Sequence, residues 1–322
     1  MSGLLVDDRY RGAHGIGRYA REVLGRLDRD WRGLGLDGTP YSPFDAFRAL
    51  PDLAAGSVVY SPGYGALVRA TRQVLTIHDL IQLESPWPGR AKFLAYYGGP
   101  VRRVVRRAGI VLTVSETSAE AIRRWLRDDA VDVVNAGNGC SAAFTPDGPR
   151  EVASDPYVLF VGNVRAHKNL DVVLRALAVT SGIRLRAVVP AGESDQVRQA
   201  AERHGVEARV DVVSGVDDAR LAELYRGAAA TVMPSLLEGF GLPALESVAS
   251  GTPVIHWAGC RAVAEIVDGR GPAMTDAHDA HEWAAAMTDA AASPRAVDPP
   301  RGTYDWDRTA GIVSATLARA GG

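Results

Sequence analysis

Two glutamates near residue 240 could hold the hydroxyl groups of a ligand. Glu238 lies in a glycine-containing loop that follows the predicted strand Thr231–Met233, and Glu246 lies in the first turns of the next predicted helix. Pro243 marks the beginning of that helix, where a missing backbone N–H costs nothing. Because a carboxylate accepts several hydrogen bonds, the two side chains can contact different parts of one extended ligand. Taken singly, the first could instead be a solvated loop charge and the second a helix-surface residue.

The loop between the two glutamates has the features of an anion site. Its glycines allow a ligand to approach the main chain closely, and the helix that follows presents backbone N–H groups at its positive end. We therefore predict a binding site for a diphosphate, formed by the main chain of Gly239, Phe240, Gly241 and Leu242.

A second stretch could supply positive charge to the same ligand. The predicted strand Tyr157–Val161 runs into Gly162 and a turn, and Asn169 is placed to cap a helix through Ala178. The turn carries three potentially cationic side chains, Arg165, His167 and Lys168. A guanidinium and an ammonium at the carboxyl end of a strand can neutralise a leaving diphosphate, and no metal is then required. The alternative is a set of solvated loop cations.

Taken together, the two stretches resemble the second domain of retaining glycosyltransferases of the GT-B class. The resemblance is to family GT4, the group 1 glycosyltransferases that include bacterial mannosyltransferases and sucrose-synthase-like enzymes. Glu238 and Glu246 stand as its E-x7-E motif, and Gly162 to Asn169 stand as its pyrophosphate-binding strand and loop. In order and spacing the resemblance runs from about Tyr157 to Asp289.

The resemblance implies a role for each matched residue. It places Glu238 at the donor sugar, Glu246 at the nucleotide ribose, and the backbone near Val216 at the base. Arg165 and Lys168 would bind the diphosphate. The basic residue before the lysine, often an arginine in the family, is a histidine here, so the second phosphate contact falls either to that His167 or to the arginine.

The first half of the chain carries fainter signals. The segment Gly12–Tyr19 supplies a glycine-rich turn before a helix, but no full G-x-G-x-x-G follows a clear strand, which argues against a dinucleotide fold. The resemblance implies that Gly15 and Gly17 lie against the donor phosphates or sugar. A plain surface turn is the alternative.

A histidine in this half follows a predicted strand. His78 comes after Val74–Ile77, and ligands of open α/β sheets bind at the carboxyl ends of strands. The resemblance places this histidine near the transferred sugar, with Asp79 as its support, and a buried core histidine is the alternative. Ser115, after the next strand, could contribute or could cap the helix that follows.

The elements that must position these residues alternate between short β-branched runs and amphipathic segments, which is typical of parallel strands joined by crossover helices. The predicted strands are Val58–Ser61, Val74–His78, Ile110–Val114, Val131–Asn135, Tyr157–Val161, Leu185–Val189, Arg209–Val213, Thr231–Met233 and Pro253–His256. The predicted helices of the first half are Ile16–Leu27, Arg90–Arg107 and Glu116–Arg127.

We therefore expect an α/β protein of two Rossmann-like, doubly wound parallel-sheet domains that face a central cleft. The expected acceptor-side domain is 1–150 and the donor-binding domain is 151–302, with a proline-containing linker at 144–156. Residues 303–322 are expected to form a helix that could cross back to the first domain.

Composition and charge define the class of protein without identifying a partner. The chain has 322 residues, 47% apolar and 23% charged, so two packed lobes are expected rather than general disorder. A net charge of -2 gives no overall attraction to nucleic acid. Cys140 and Cys260 are isolated, which fits neither a disulfide framework nor a thiolate metal site and favours a reducing compartment.

The location expected from the sequence is cytoplasmic. No apolar run reaches the about 18 residues that a membrane span needs, and residues 1–8 lack the pattern of an export signal. A basic helix could still touch the inner membrane surface or a phosphorylated acceptor, through Arg102, Arg103, Arg106 and Arg107. The alternative is a solvated helix face.

The reaction expected from the resemblance is transfer of a hexose with retention of configuration, without metal or cofactor. Gly15 to Tyr19, His78-Asp79 and His167 to Asn169 look more like the mannosyltransferase branch, which favours GDP-mannose and leaves UDP-sugars open. The acceptor would be a glycan, a lipid-linked glycan or a small molecule. Two other classes stay open: a nucleotide-sugar epimerase of the same architecture, and a non-catalytic GT-B partner subunit.

Overall fold

The computed structural model describes residues 3–12, 15–40, 42–51, 54, 56–84, 87–300 and 304–321. By their internal contacts the residues divide into two compact units. Unit 1 contains 1–139 and 304–322, and unit 2 contains 140–303. All strand pairings in the described residues are parallel, so the predicted α/β class is confirmed.

Unit 1 is built on short parallel strands. They are β1 (Leu4–Val6), β2 (Trp31–Gly33), β3 (Val58–Ser61), β4 (Gln73–Leu75), β5 (Ile110–Thr113) and β6 (Asp132–Asn135). Four of them pair in the order β2-β1-β3-β4, and a bridge from Thr76 to Leu112 continues this sheet to the β5-β6 pair. The helices between them are α1 (Gly15–Leu24), α2 (Ile81–Glu84), α3 (Arg90–Tyr96), α4 (Arg102–Ala108) and α5 (Glu116–Leu126).

The long helix predicted over Arg90–Arg107 is present in the structure and contains one π-helical turn. A π-helical turn over Tyr97–Val101 separates α3 from α4. The turn contains Pro100, which has no N–H to donate along the helix, and its ring displaces the preceding backbone. The proline is therefore accommodated by a local change of helix type, and the chain stays helical from residue 90 to residue 108.

Unit 2 contains one six-stranded sheet with helices between its strands. The strands are β7 (Tyr157–Val161), β8 (Arg184–Val188), β9 (Val210–Val213), β10 (Ala230–Met233), β11 (Val254–Trp257) and β12 (Ala273–Met274). The helices are α6 (Leu170–Ala178), α7 (Ser194–Arg203), α8 (Asp218–Gly227), α9 (Leu242–Ala249), α10 (Arg261–Val267) and α11 (Ala280–Ala292).

The strand order of unit 2 is β12-β11-β10-β7-β8-β9. The chain therefore proceeds outward from β7 to β9, and then returns to the other side of β7 to lay down β10. In a doubly wound sheet the point of this reversal leaves a crevice at the carboxyl ends of the two strands, where ligands bind. The topology thus selects the loops after β7 and β10.

The boundary between the units lies at Gly139 and Cys140, earlier than the boundary expected at 150 and 151. Phe144 is 5% exposed and packs its ring 5.8 Å from that of Tyr225 in unit 2. Arg226 donates hydrogen bonds to the carbonyls of Thr145 and Pro149. The proline-containing segment is therefore a part of unit 2 and is held on its surface, although it lacks regular structure.

The last helix, α12 (Trp306–Gly321), is grouped with unit 1. Trp306 is buried against Gly139, where a Cβ atom would lie 2.4 Å from the indole. Asp307 accepts a hydrogen bond from Arg26 at 3.0 Å, and Arg319 donates one to Asp132 at 3.0 Å. Thr303, where the helix was expected to begin, lies outside the described residues.

Replacing Trp283 with alanine should strongly destabilise unit 2. The indole is 0% exposed in the core of this unit and donates to the carbonyl of Asp276 at 3.2 Å, so truncation leaves a large cavity. We expect a loss of about 3–5 kcal/mol in the free energy of unfolding. Urea denaturation followed by circular dichroism measures it. Val152→Ala, at a side chain 87% exposed, is the control and should leave the stability of the protein unchanged.

Candidate active site

Lys168 and Glu238 meet at the point where the strand order of unit 2 reverses. The lysine ends a short 3-10 turn after β7, and the glutamate lies in the loop after β10. Lys168 Nζ donates a hydrogen bond to Glu238 Oε1 at 2.6 Å. Their side chains are only 13% and 9% exposed, so neither is a solvated loop charge. Two residues that the sequence assigned to one ligand are thus in direct contact.

Hydrogen bonds from neighbouring elements hold both loops in place. The N–H of Leu236 donates to the carbonyl of His167 at 2.7 Å and joins the two loops directly. The carboxylate of Glu193, after β8, accepts from the N–H of Val164 at 2.7 Å. No sequence signal pointed to Glu193, because its role depends on β8 lying beside β7.

Asn169 occupies the predicted cap position of α6, but its side chain does not cap the helix. Its backbone is left-handed, with φ of 52°, and its side-chain N–H donates to the carbonyl of Ala277 at 2.8 Å. The expectation of a side-chain cap is therefore wrong, because the Asn169 amide is hydrogen-bonded to the segment that follows β12 instead of to the helix.

The N-terminal end of α9 has the predicted geometry. Gly241 is its N-cap residue in the left-handed region, with φ of 101°, and Pro243 lies in the first turn. A Cβ atom on this glycine would lie 3.1 Å from Val263 of α10, so both conformation and space favour glycine. Gly239 and Phe240 are buried, and Leu242, the first helical residue, is half-buried.

Glu246 lies inside α9 and is 4% exposed. The hydroxyl of Tyr225 donates to its Oε2 atom at 3.1 Å. The alternative in which this glutamate is a solvated helix-surface residue is therefore wrong. Tyr225 comes from the neighbouring helix α8, and nothing in the sequence linked it to the glutamate.

Arg165 and His167 differ in environment. The arginine is exposed, and its backbone N–H donates to the Asn163 side chain at 3.2 Å. Burial lowers the pKa of His167, and the adjacent Lys168 charge lowers it further. The histidine is therefore neutral at pH 7, whereas a guanidinium keeps its charge.

Gly162 and Val216 are also predicted to lie near the nucleotide-sugar donor, and the structure shows which groups surround them. The side chain of Lys168 passes over Gly162, with its Cδ and Cε atoms 3.9 Å from where a Cβ would lie. Val216 is half-buried and packs against the apolar cluster between the sheet and α8, after a glycine with φ of 70°.

The predicted residues of unit 1 lie in that unit's own loops. His78 is half-buried, with Nε2 2.9 Å from the carbonyl of Pro62 and its ring edge-to-face with Tyr19 at 4.8 Å. The carboxylate of Asp79 accepts a hydrogen bond from the backbone N–H of Ile81, the first residue of α2. The hydroxyl of Ser115 caps α5 by accepting from the N–H of Ser118.

The glycine-rich turn is partly visible. Gly15 is the exposed first residue of α1, and Gly17 is buried. A Cβ on Gly17 would lie 2.4 Å from the carbonyl oxygen of Gly12, so the close contact of turn and helix requires glycine. Ala13 and His14 lie outside the described residues.

Three of the four arginines around α4 make contacts within unit 1. Arg102 donates to the carbonyl of Leu126, Arg107 donates to that of Ala70, and Arg106 forms an ion pair with Asp128 at 2.8 Å. Contact with an anionic membrane stays a prediction. It now depends mainly on the exposed Arg103, because its neighbours already have partners.

The residues of unit 2 match a known protein family. Residues 145–298 match the family described as glycosyl transferases group 1. This part of the chain, which is most of unit 2, therefore belongs to the group 1 glycosyltransferase family, as its motifs predicted.

Curated relatives agree with this family. A D-inositol 3-phosphate glycosyltransferase from Mycolicibacterium smegmatis is 31% identical over 238 residues, which cover 68% of this chain and 55% of the relative. O-antigen chain mannosyltransferase B from Escherichia coli is 28% identical over 213 residues, which cover 62% of this chain and 56% of the relative. The chain spans about half the length of the curated relatives it matches.

Solved structures show the same fold. A sucrose-phosphate synthase from Thermosynechococcus elongatus has a TM-score of 0.71 at 18% identity, covering 99% of this chain and 94% of that one. WaaG, a glycosyltransferase involved in lipopolysaccharide biosynthesis, has a TM-score of 0.67 at 14% identity, covering 98% of each chain. These likenesses confirm the predicted GT-B fold class.

Two features are absent from the described residues. None of their helices combines the length and the apolar character that crossing a membrane requires. In the same part of the chain, no cluster of three or more His, Cys, Asp or Glu side chains is arranged to hold a metal ion.

The buried His167 should make stability depend on pH. Because its pKa is lower in the folded protein than the ordinary value of 6.5, protonation favours the unfolded state. The stabilising contribution is complete above about pH 6.5 and is lost as the pH falls through the folded-state pKa. Melting temperatures of His167→Gln at pH 7.5 and pH 5.5 should therefore differ less than those of the wild type. The exposed His281→Gln is the control, and an equal flattening in that variant would contradict the assignment.

Proposed function

We propose that the protein is a retaining glycosyltransferase that moves a hexose from a nucleoside-diphosphate sugar to an acceptor hydroxyl. The observation that carries the proposal is the contact of Lys168 with Glu238 at the strand-order reversal of unit 2, beside the N-terminal end of α9. A cation, a carboxylate and the positive N-terminal end of a helix lie at this point of the sheet, and they suit two parts of such a donor, its diphosphate and its sugar hydroxyls.

In this proposal each part of the donor has a named partner. Lys168, Arg165 and the main chain of residues 239–242 bind the diphosphate. Glu238 accepts hydrogen bonds from the sugar, and Glu246 accepts them from the ribose. The base lies near Val216. The neutral state of His167 supports the arginine as the second phosphate contact.

The proposed reaction exchanges one bond at the anomeric carbon. The bond from this carbon to the diphosphate oxygen breaks, and a bond to the acceptor oxygen forms on the same face of the sugar. The acceptor proton moves to the departing diphosphate. The cations and helix amides stabilise the negative charge that develops on the leaving group, and no enzyme nucleophile takes part.

The donor we favour is GDP-mannose, with UDP-sugars as the alternative. The likeness to an O-antigen chain mannosyltransferase supports the sugar, and the likeness to D-inositol 3-phosphate glycosyltransferases fits a small or lipid-linked acceptor as well as a glycan. Roles for Gly15, Gly17 and His78 of unit 1 stay predictions from the resemblance. A cytoplasmic location is part of the same proposal.

Transfer is expected to proceed without an added metal ion. In the proposal, Lys168 and Arg165 supply the positive charge that a divalent cation supplies in other transferases. Initial rates measured with and without EDTA should agree within error. A loss of activity that Mg²⁺ or Mn²⁺ restores would contradict this part of the proposal.

Lys168→Met should reduce kcat/KM by about 100- to 1,000-fold, the usual effect of losing one donor to a developing negative charge. Release of GDP or UDP in the presence of an acceptor glycan mixture measures the rate. Lys92→Met is the matched control, because Lys92 is exposed on α3. Equal rates in the two variants would refute the role of Lys168.

Glu246→Gln should weaken donor binding by about 10- to 100-fold, since hydrogen bonds to a charged acceptor contribute on the order of 1.5–3 kcal/mol. Isothermal titration with GDP-mannose and UDP-glucose measures the affinity. Glu223→Gln, which removes a carboxylate from an exposed ion pair of α8, is the control. Unchanged affinity in the Glu246 variant would contradict the proposed ribose contact.

A further inference from the structure

The two proposed donor-binding side chains form an ion pair with each other. Lys168 Nζ and Glu238 Oε1 are 2.6 Å apart, and only 13% and 9% of the two side chains is exposed to solvent. The chain contains only two lysines, Lys92 and Lys168, among its 36 basic residues. A flexible ammonium can change hydrogen-bond partner by rotation of its aliphatic chain, whereas a guanidinium has a fixed planar arrangement of donors.

A diphosphate cannot bind beside this pair without changing it. If Lys168 kept its bond to Glu238, the carboxylate would lie next to the arriving phosphate charge and repel it. The carboxylate oxygen that accepts from the ammonium would also be unavailable to a sugar hydroxyl. When the ammonium moves from the carboxylate to the phosphate, it neutralises part of the phosphate charge and leaves the carboxylate oxygen available to a sugar hydroxyl.

We propose that donor binding exchanges the partners of the Lys168–Glu238 pair. The ammonium passes from Glu238 to the diphosphate, and the sugar hydroxyls of the donor replace it at the carboxylate. This inference rests on the proposed function and concerns the order of events in its binding site. No covalent bond changes in the exchange.

The exchange distinguishes the donor from the nucleotide product. A complete donor gives Glu238 new hydrogen-bond donors, whereas a nucleoside diphosphate takes the lysine and leaves a shielded carboxylate without its cation. An uncompensated buried charge is costly, so the glutamate competes for the lysine and weakens nucleotide binding. After the sugar has been transferred, recovery of the ion pair promotes release of the diphosphate product.

Because Glu238 competes with the nucleotide for Lys168, a variant without the Glu238 charge should bind nucleotide more tightly. Glu238→Gln removes the competing charge, so GDP and UDP should bind at least about fivefold more tightly than to the wild type, on the order of 1 kcal/mol. Transfer should nevertheless fall, and the preference for GDP-mannose over GDP should shrink. Isothermal titration with GDP, UDP and GDP-mannose measures all three affinities. Glu223→Gln should bind GDP as the wild type does.

A second pair of variants distinguishes exchange of the Lys168 partner from simple repulsion between the Glu238 carboxylate and the diphosphate. In a Lys168→Met background there is no ammonium to release and only direct repulsion by the carboxylate remains, so adding Glu238→Gln should increase GDP affinity by less than it does in the wild-type background. Repulsion by the carboxylate alone would give the same gain in both backgrounds and would overturn the inference. Thermal melts confirm that each variant is folded before titration.

Direct observation of the lysine does not depend on any variant. Incorporation of [ε-13C]lysine gives two signals, and the Lys92 signal serves as an internal reference. Saturating GDP or UDP should shift the Lys168 signal and leave the other in place. Tight nucleotide binding with an unmoved Lys168 signal would overturn the exchange but not the proposed function. Failure of the wild type to bind GDP, UDP or GDP-mannose would overturn both.

Discussion

The site depends on an ion pair between two loops that are far apart in the sequence. Lys168 and Glu238 are joined at 2.6 Å with little solvent around them. Removing one partner from such a pair leaves an uncompensated charge, which is commonly more costly than losing an apolar contact. A buried pair of this kind is weak evidence for stability, and in the proposed function its two side chains bind the nucleotide sugar.

The strand order of unit 2 explains why this pair can form. Crossovers first carry the chain outward from β7 through β8 to β9, and then back to β10 on the opposite side. The loops after β7 and β10 are consequently neighbours, and the Leu236 to His167 hydrogen bond fixes their spacing. Glu193 after β8 and Gly241 at the beginning of α9 then set the conformation of each loop.

Much of this arrangement was predictable because it follows from local chemistry. Buried parallel strands read as apolar runs, so β7 and β10 were found nearly to the residue, and the proline and glycine at the beginning of α9 mark its position. Strands β1, β2 and β12 were missed, since they have three, three and two residues and owe their conformation to a neighbouring strand. The partners Tyr225, Glu193 and Ala277 could not be found either, because each contact joins elements whose adjacency only the folded sheet defines.

In the proposed function, the loops after β7 and β10 bind a nucleoside diphosphate between them. A crystal structure of the protein soaked with GDP-mannose tests it most directly. The diphosphate oxygens should lie within hydrogen-bond distance of Lys168 Nζ and of main-chain N–H groups in residues 239–242. A nucleotide bound elsewhere, with the lysine still held by Glu238, would contradict it.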